Sequence, residues 1–399
     1  MHIYLDHHAT TRPDPAVVAE MLPCLGEIFG NPSSAHTFGQ EARRVADLAR
    51  QRVAAFLGAH TDEIVFTSGG SEACNQLLHG LARPGRHIVV SGIEHPAVLA
   101  PCAALEACGV RITRVAADAS GVVHPEAVAA ALTPETGLVS VMLVNNDTGV
   151  IQPVAEIAKL AHARGVPVHT DAVQAAGKIP VDVRALGVDF LTLSAHKFNG
   201  PKGVGALYIR GGRELPPLIR GGGQENRRRA GTENLPGIAG FGKACELAAV
   251  RLNGEKTEER KNGRINTGNG GSVDAGNAGT ETGELRNYLE TKIVELFPDA
   301  VVNGAAAERV SNTSLISFPG VNAQALALNL DLAGVAISTG SACSSSSRDP
   351  SHVLLAMGRT PQQALEAVRF SVGPGNTAAE IEHALQLLAA AVPRLRKVG

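Results

Sequence analysis

The sequence lacks a charge surplus of either sign: 36 Lys and Arg stand against 38 Asp and Glu, a formal net charge of −2. Nothing in that balance would hold nucleic acid or an anionic membrane electrostatically. No apolar run approaches the ~18 residues that a bilayer span needs. The opening Met-His-Ile-Tyr-Leu-Asp has neither the basic nor the apolar block of a secretory signal, so the expected location is cytoplasmic. The six cysteines include no CxxC pair, which fits a reducing compartment better than a disulfide framework. The fourteen histidines include no HExxH, and the adjacent His7 and His8 would point to different sides of a strand or helix, so no metal site is expected. No internal repeat of fixed period is present.

What is present is length, 399 residues, with 44% hydrophobic and 19% charged side chains, enough to bury a large core. Between about residues 62 and 210, short β-branched runs alternate with amphipathic stretches. The runs are Ile64 to Thr67, His87 to Ser91, Val110 to Val115, Leu138 to Val144, Val166 to Thr170, Phe190 to Ser194 and Val204 to Ile209. That rhythm predicts an α/β fold whose mostly parallel central sheet is flanked by helices, with reactive groups gathered beyond the strands' carboxyl ends. Helices are predicted over Gly39 to Leu57 and Val154 to Ala163. A smaller α+β unit is expected from about residue 250, with strands Ser311 to Phe318, Val335 to Ser338 and Arg369 to Ser371 and helices Leu285 to Leu296 and Ala378 to Ala391. Residues 253–283 hold eight Gly and five Asn and few hydrophobic residues, which predicts a flexible loop or linker.

Several motifs sit where such a fold places chemistry. Lys197, in Ser194-Ala195-His196-Lys197, directly follows an apolar strand. A buried amine is depressed in pKa and nucleophilic, suited to a Schiff base with a carbonyl cofactor; a snorkelling surface lysine is the alternative. Asp171, in Asp171-Ala172-Val173-Gln174, follows another apolar strand. It suits either pairing with a pyridinium nitrogen or an ordinary helix N-cap. Thr67-Ser68-Gly69-Gly70-Ser71-Glu72 joins a strand to a helix through small residues, a pattern that fits an anion at a helix N-terminus or a simple turn. It is neither GxGxxG nor GxxxxGK[ST], so no nucleotide is indicated. His95 ends a further strand and suits ring stacking, proton transfer or a purely structural role.

Together with Tyr4 to Thr11 and Gly30-Asn31-Pro32-Ser33-Ser34, these motifs resemble the cysteine desulfurases of the class V aminotransferase family, fold-type I pyridoxal 5'-phosphate enzymes, from Tyr4 to about residue 390. The resemblance implies a large cofactor-binding domain over 15–250 and a small domain formed by 1–14 and 251–399. It implies Lys197 as the Schiff-base lysine, Asp171 as pyridinium partner, Gln174 at the ring hydroxyl and His95 as the stacking base. Gly70, Ser71, Ser194 and His196 would hold the phosphate, joined by Thr232 of a neighbouring subunit, hence a homodimer. Asn146, Asn31 and Arg369 fall near cofactor and substrate, where a guanidinium fork suits an amino-acid carboxylate.

Ser338-Thr-Gly-Ser-Ala-Cys343-Ser-Ser-Ser-Ser347 distinguishes the desulfurases from their aminotransferase relatives. Its thiol, on a hydroxyl-rich loop, would take sulfur from L-cysteine as a persulfide, leaving L-alanine, and pass it to an acceptor or iron-sulfur scaffold protein. No metal is implied beyond transient iron-sulfur ligation by Cys343. Alternatives are another class V reaction, selenocysteine lysis or transamination, and a non-catalytic sulfur relay. One departure stands out: Asp147-Thr148 occupies the place where relatives commonly carry Glu-Ile. Cys74, Cys102, Cys108 and Cys245 fall in apolar helical contexts and are expected to pack as small hydrophobes.

Overall fold

The computed structural model describes residues 2–259, 278–339 and 349–397. Its largest sheet has seven strands in the spatial order Ile64–Thr67, Gly205–Ile209, Phe190–Ser194, Val168–Asp171, Thr136–Ser140, His87–Ser91 and Arg111–Val115. Pairing is parallel from Phe190–Ser194 through to Arg111–Val115, and Gly205–Ile209 runs antiparallel to both its neighbours. The alternation of side chains along each strand feeds two cores. Val65, Val90, Phe190 and Leu207 face one layer of helices with Leu77, Leu78 and Cys102. Phe66, Val89, Leu191 and Ala206 face the other with Val53, Ile157 and Phe241. Burial on both faces is why these strands read as continuous apolar runs.

Helix Val154–His162 buries Val154, Ile157, Ala158 and Ala161, one face at helical spacing, and carries the chain from Thr136–Ser140 to Val168–Asp171. Helix Thr37–Leu57 is capped at its start by His36, whose ring nitrogen accepts from the Gly39 N–H, and at its end by Gly58 in the left-handed region. It lies so close to helix Leu235–Glu259 that a Cβ at Gly242 would come within 2.6 Å of Ala49.

A second, antiparallel sheet runs Ser338–Thr339, Ala367–Ser371, Thr313–Ser317, Val301–Asn303. Helices Ala278–Leu296, Ala323–Leu332 and Ala378–Arg396 pack around it through Leu289, Leu326, Phe370 and Leu388. The first strand, Ile3–Tyr4, pairs in parallel with Val335–Ala336.

Four expectations are corrected. The predicted strand 138–144 forms its ladder at 136–140, although the Val141 and Leu143 N–H groups still donate to the carbonyls of His169 and Asp171. The run predicted as one strand, 335–338, is divided between two sheets. The stretch 253–283, expected as loop, is helical through Glu259 and again from Ala278, and the part between lies outside the described residues. The run Glu255 to Glu259 is rich in helix-forming residue types and prolongs a helix already nucleated by packing. Cys108 is exposed, because it is the C-cap of helix Pro96–Ala107 rather than a member of its buried face; Cys74, Cys102 and Cys245 are buried.

Candidate active site

Five strands that run in one direction end at the same edge of the large sheet, and each delivers a polar group there. Lys197 closes a turn of 3-10 helix, Ala195–Lys197, directly after strand Phe190–Ser194. Asp171 is the last residue of strand Val168–Asp171. The chain beyond Thr136–Ser140 brings Asn146, that beyond His87–Ser91 brings His95, and that beyond Ile64–Thr67 brings Gly70 and Ser71. They line one cavity of about 280 Å³, together with Gln174, Ser194 and His196. Nine of the ten residues expected to bind the cofactor are thus brought together. Thr232 does not line this cavity and is exposed, and so is Asn31, whose side chain accepts from the Ser33 N–H. Cys343 lies outside the described residues, since 340–348 are not among them.

The Lys197 amine donates to the carbonyls of His8 at 2.8 Å and Ala9 at 2.9 Å. Gln174 Nε2 donates to the same His8 carbonyl at 2.9 Å. One Asp171 oxygen accepts from the Val173 N–H at 2.9 Å, while burial pushes its carboxyl up to about 6 against the pull of that bond and of Lys197. A buried acid in this state favours a cationic partner. The His95 Nδ1 accepts from the Ala97 N–H at 3.0 Å, which makes it the N-cap of helix Pro96–Ala107. Burial, with Lys197 and His352 adding positive charge, lowers His95 to about 4, so the ring is neutral near pH 7. His196 is lowered to about 4 by burial and by Lys197, Lys202 and Lys178.

At the start of helix Gly70–Leu81, Gly69 has φ of +152°, and a Cβ on Gly70 would come within 3.0 Å of Val173. Small residues here leave the helix N-terminus open to an anion. Glu72 accepts from the Ser68 N–H at 2.8 Å and pairs with Arg229 at 3.0 Å, tying the Arg229 to Asn234 segment to this helix. No local pattern in the sequence announced that pair.

Arg369 is fully buried on the second sheet and does not line the cavity. Its Nη1 donates to the Asn146 carbonyl at 2.9 Å and its Nη2 to Asp6 at 2.9 Å; Asp147 lies 3.9 Å away. Asp147 also accepts from Asn146 Nδ2 and from Ser351 Oγ, each at 2.7 Å, and Thr148 Oγ1 donates to Asn145. The departure at 147–148 therefore supports Asn146 through an acid and a hydroxyl that both find partners. Asp6 and Asp147, which hold the arginine and the asparagine, were not read as site residues; an acid only six residues from the start gives no local hint that it meets Arg369.

Glu94, beside His95, is also buried. Its Oε1 accepts from Ser91 Oγ and the Met142 N–H, both at 2.6 Å, and Oε2 has no partner among the described residues. Burial raises its carboxyl to about 8, with Asp171 adding to the shift. A raised acid binds its proton more tightly folded than unfolded, so its contribution to stability is full below about 4.5 and is lost as pH rises toward 8. Glu94→Gln removes that dependence. Between pH 5 and pH 8 the melting temperature is expected to move in the variant's favour, relative to the parent, by at least about 2 °C. A difference that stays constant with pH would show that Glu94 does not titrate in this way.

A buried acid, a strand-end lysine, a neutral imidazole and a glycine-lined helix start meet in one cavity, a set of groups that fits a planar, phosphorylated pyridine aldehyde. The fit has independent support in Asn146 Oδ1, which is buried in the wall without a partner among the described residues. The sequence profile of the Aminotransferase class-V family matches residues 3–265 and 272–384. The chain belongs to that family of pyridoxal 5'-phosphate enzymes. It is 44% identical over 401 residues to cysteine desulfurase IscS of Dictyoglomus turgidum, covering 100% of this chain and 96% of that protein. It is 43% identical over 398 residues to a cysteine desulfurase of Klebsiella pneumoniae, covering 100% of this chain and 94% of that one. A solved NifS-like protein superposes with a TM-score of 0.87 at 36% identity, over 99% of this chain and 100% of its own.

Proposed function

We infer that the protein is a cysteine desulfurase, which removes sulfur from L-cysteine, leaves L-alanine and carries the sulfur as a persulfide on Cys343. The observation that carries this reading is the meeting of Lys197 and Asp171 in one cavity, in a chain similar along its whole length to cysteine desulfurases. A solved neighbour described as SspA in complex with cysteine, TM-score 0.78 and 34% identical over 94% of this chain and 100% of its own, supports the substrate class.

In this reading Lys197 would hold the aldehyde carbon of pyridoxal phosphate, Asp171 the proton of its ring nitrogen, and Gln174 its ring hydroxyl. Gly70, Ser71, Ser194 and His196 would hold the phosphate, with Thr232 supplied by a second copy of the chain. When bound, the cofactor supplies an electron sink for the pair left as the substrate's Cα–H bond breaks. Lys197 would take the proton from the substrate's Cα, and His95, neutral, would carry protons to and from the reacting atoms. Arg369 is the proposed carboxylate ligand, with Asn31 and Asn146 as the other proposed substrate contacts. Its Nε is buried without a partner among the described residues, and its fork is preset by Asp6 and Asn146. The Cys343 thiolate attacks the substrate sulfur. An S–S bond would form as the Cβ–S bond breaks, its electron pair passing to Cβ; protonation of Cβ and return of the proton to Cα would complete alanine.

The same reading divides the chain into a large domain over 15–250 and a small one from 1–14 and 251–399, the latter carrying the Cys343 loop. It also takes the protein to be a cytoplasmic homodimer that hands sulfur to an acceptor or iron-sulfur scaffold protein. Leu22, Leu25, Phe29 and Phe38 are strongly exposed near Asn31, an apolar surface suited to a second copy, and no helix among the described residues is long and apolar enough to cross a membrane. Product analysis tests the function. Incubated with L-cysteine, the protein is expected to yield alanine and, on Cys343, one added sulfur by mass spectrometry. A keto acid as product would mean transamination instead.

A further inference from the structure

Four non-glycine residues among those described have positive φ, and three of them are consecutive: Glu225 at 49°, Asn226 at 56° and Arg227 at 64°. Side chains resist this left-handed region, and glycine is its ordinary occupant. Gly221, Gly222 and Gly223 stand immediately before, yet the left-handed turn falls on three residues that have side chains. What holds it is Glu225, whose side chain is buried against the outer edge of strand Ile64–Thr67, a strand with a neighbour on one side only. Its Oε1 accepts from Arg50 Nη2 at 2.6 Å, and its Oε2 accepts from Arg50 Nη1 and from the Phe66 N–H, each at 2.9 Å. Arg50 also donates to the Ile64 carbonyl at 2.8 Å and lies over the Phe66 ring, 4.6 Å from its centre. This two-pronged grip on a strand edge over-determines the strained turn.

The turn opens a short strap that leads to Thr232. The Arg228 carbonyl accepts from Gln76 Nε2 at 2.8 Å, Arg229 is paired with Glu72 on the same helix, and the Gly231 N–H donates to Gln224 Oε1 at 3.1 Å. These ties hold the strap to its own chain, while Thr232 is exposed and does not line its own chain's cavity. We propose that Glu225 is a positioning residue for the cofactor of a second copy: its grip on Arg50 and the Phe66 N–H sets the left-handed turn, and the turn fixes the path of residues 228–232 so that Thr232 is presented to the neighbouring phosphate. The proposal rests on the reading above in which Thr232 serves a second copy. Glu225 also caps the strand that leads to Gly70 and Ser71, so a purely local role would act on the cofactor of its own chain instead.

Mixed dimers of two differently tagged full-length chains, loaded with cofactor, distinguish the two roles by the rate at which the visible band is lost on dialysis. The reference is a Lys197→Ala chain paired with an unmutated chain, which keeps one cofactor lysine. When a Glu225→Gln chain is paired with a Lys197→Ala chain, the remaining site lies in the Glu225→Gln chain but receives Thr232 from a chain that keeps Glu225. That dimer is expected to lose the band at the reference rate. With both substitutions on one chain and none on the other, the remaining site receives Thr232 from the altered chain. Its loss is expected to be about tenfold faster, the worth of one hydrogen bond to a charged group. Acceleration in the first dimer, or none in the second, overturns the proposal. Arg50→Met removes the other half of the grip and is expected to give the same pattern; it replaces Glu225→Gln where that chain does not fold. Thr232→Ala in the same two dimers checks the reading beneath. If its effect stays with its own chain's lysine, or if no mixed dimer forms, the assignment of Thr232 fails rather than the grip of Glu225.

Discussion

Lys197→Ala is expected to lose the visible cofactor band and to lower the rate of alanine formation by at least about a thousandfold. Two contributions are removed together: the covalent hold on the aldehyde and the base for the Cα proton, and positioned acid–base catalysis alone is worth 10²–10⁴. No neighbour among the described residues is suited to take over. His95 and His196 are lowered to about 4 and are poor bases near neutrality, and Lys178 is turned onto Gln174. Absorbance of the purified variant and a single-turnover assay with L-cysteine check the expectation. A variant that keeps both band and rate would remove Lys197 from the site.

Cys343→Ala is expected to separate the two halves of the reaction. Its cofactor band should match the parent's, because none of the described residues lining the cavity is changed. Persulfide formation should vanish, and alanine production from L-cysteine should fall at least about a hundredfold, since the buried Cys74, Cys102 and Cys245 are unsuited to replace it. Cys74 and Cys245 are held far above the usual thiol range by burial, and Cys102 is pushed up to about 12. Mass spectrometry of the protein after a cysteine pulse reads the added sulfur directly. Normal desulfuration by the alanine variant would refute the persulfide on this residue.

The two variants separate what was legible from what was not. Lys197 and Asp171 could be found because each directly follows an apolar run, and a strand end is a position that local pattern marks. The Gly69-Gly70 turn could be found for the same reason. The supports of those groups left no such mark. His8, whose carbonyl receives both Lys197 and Gln174, is a backbone acceptor whose residue type says nothing of its use. Glu94 was passed over for its neighbour His95, because only burial turns that carboxyl into a raised acid. The errors at 138–144 and 253–259 arose where apolar or glycine content stands for structure imperfectly: an apolar segment need not be laddered, and a packed helix can run on into polar sequence.

Read alone, the sequence determined the alternation of strand and helix, the layered α/β class and the residue types available at the strand ends, since these depend on periodicities of two and 3.6 residues within short windows. The tertiary structure decided which distant groups meet. Asp6 reaches Arg369 across 363 positions, Lys197 reaches His8 across 189, and Ser351 reaches Asp147 across 204. Contacts of that separation are set by how the two sheets pack against the first strand and its continuation, and that packing depends on the whole buried surface rather than on any local pattern.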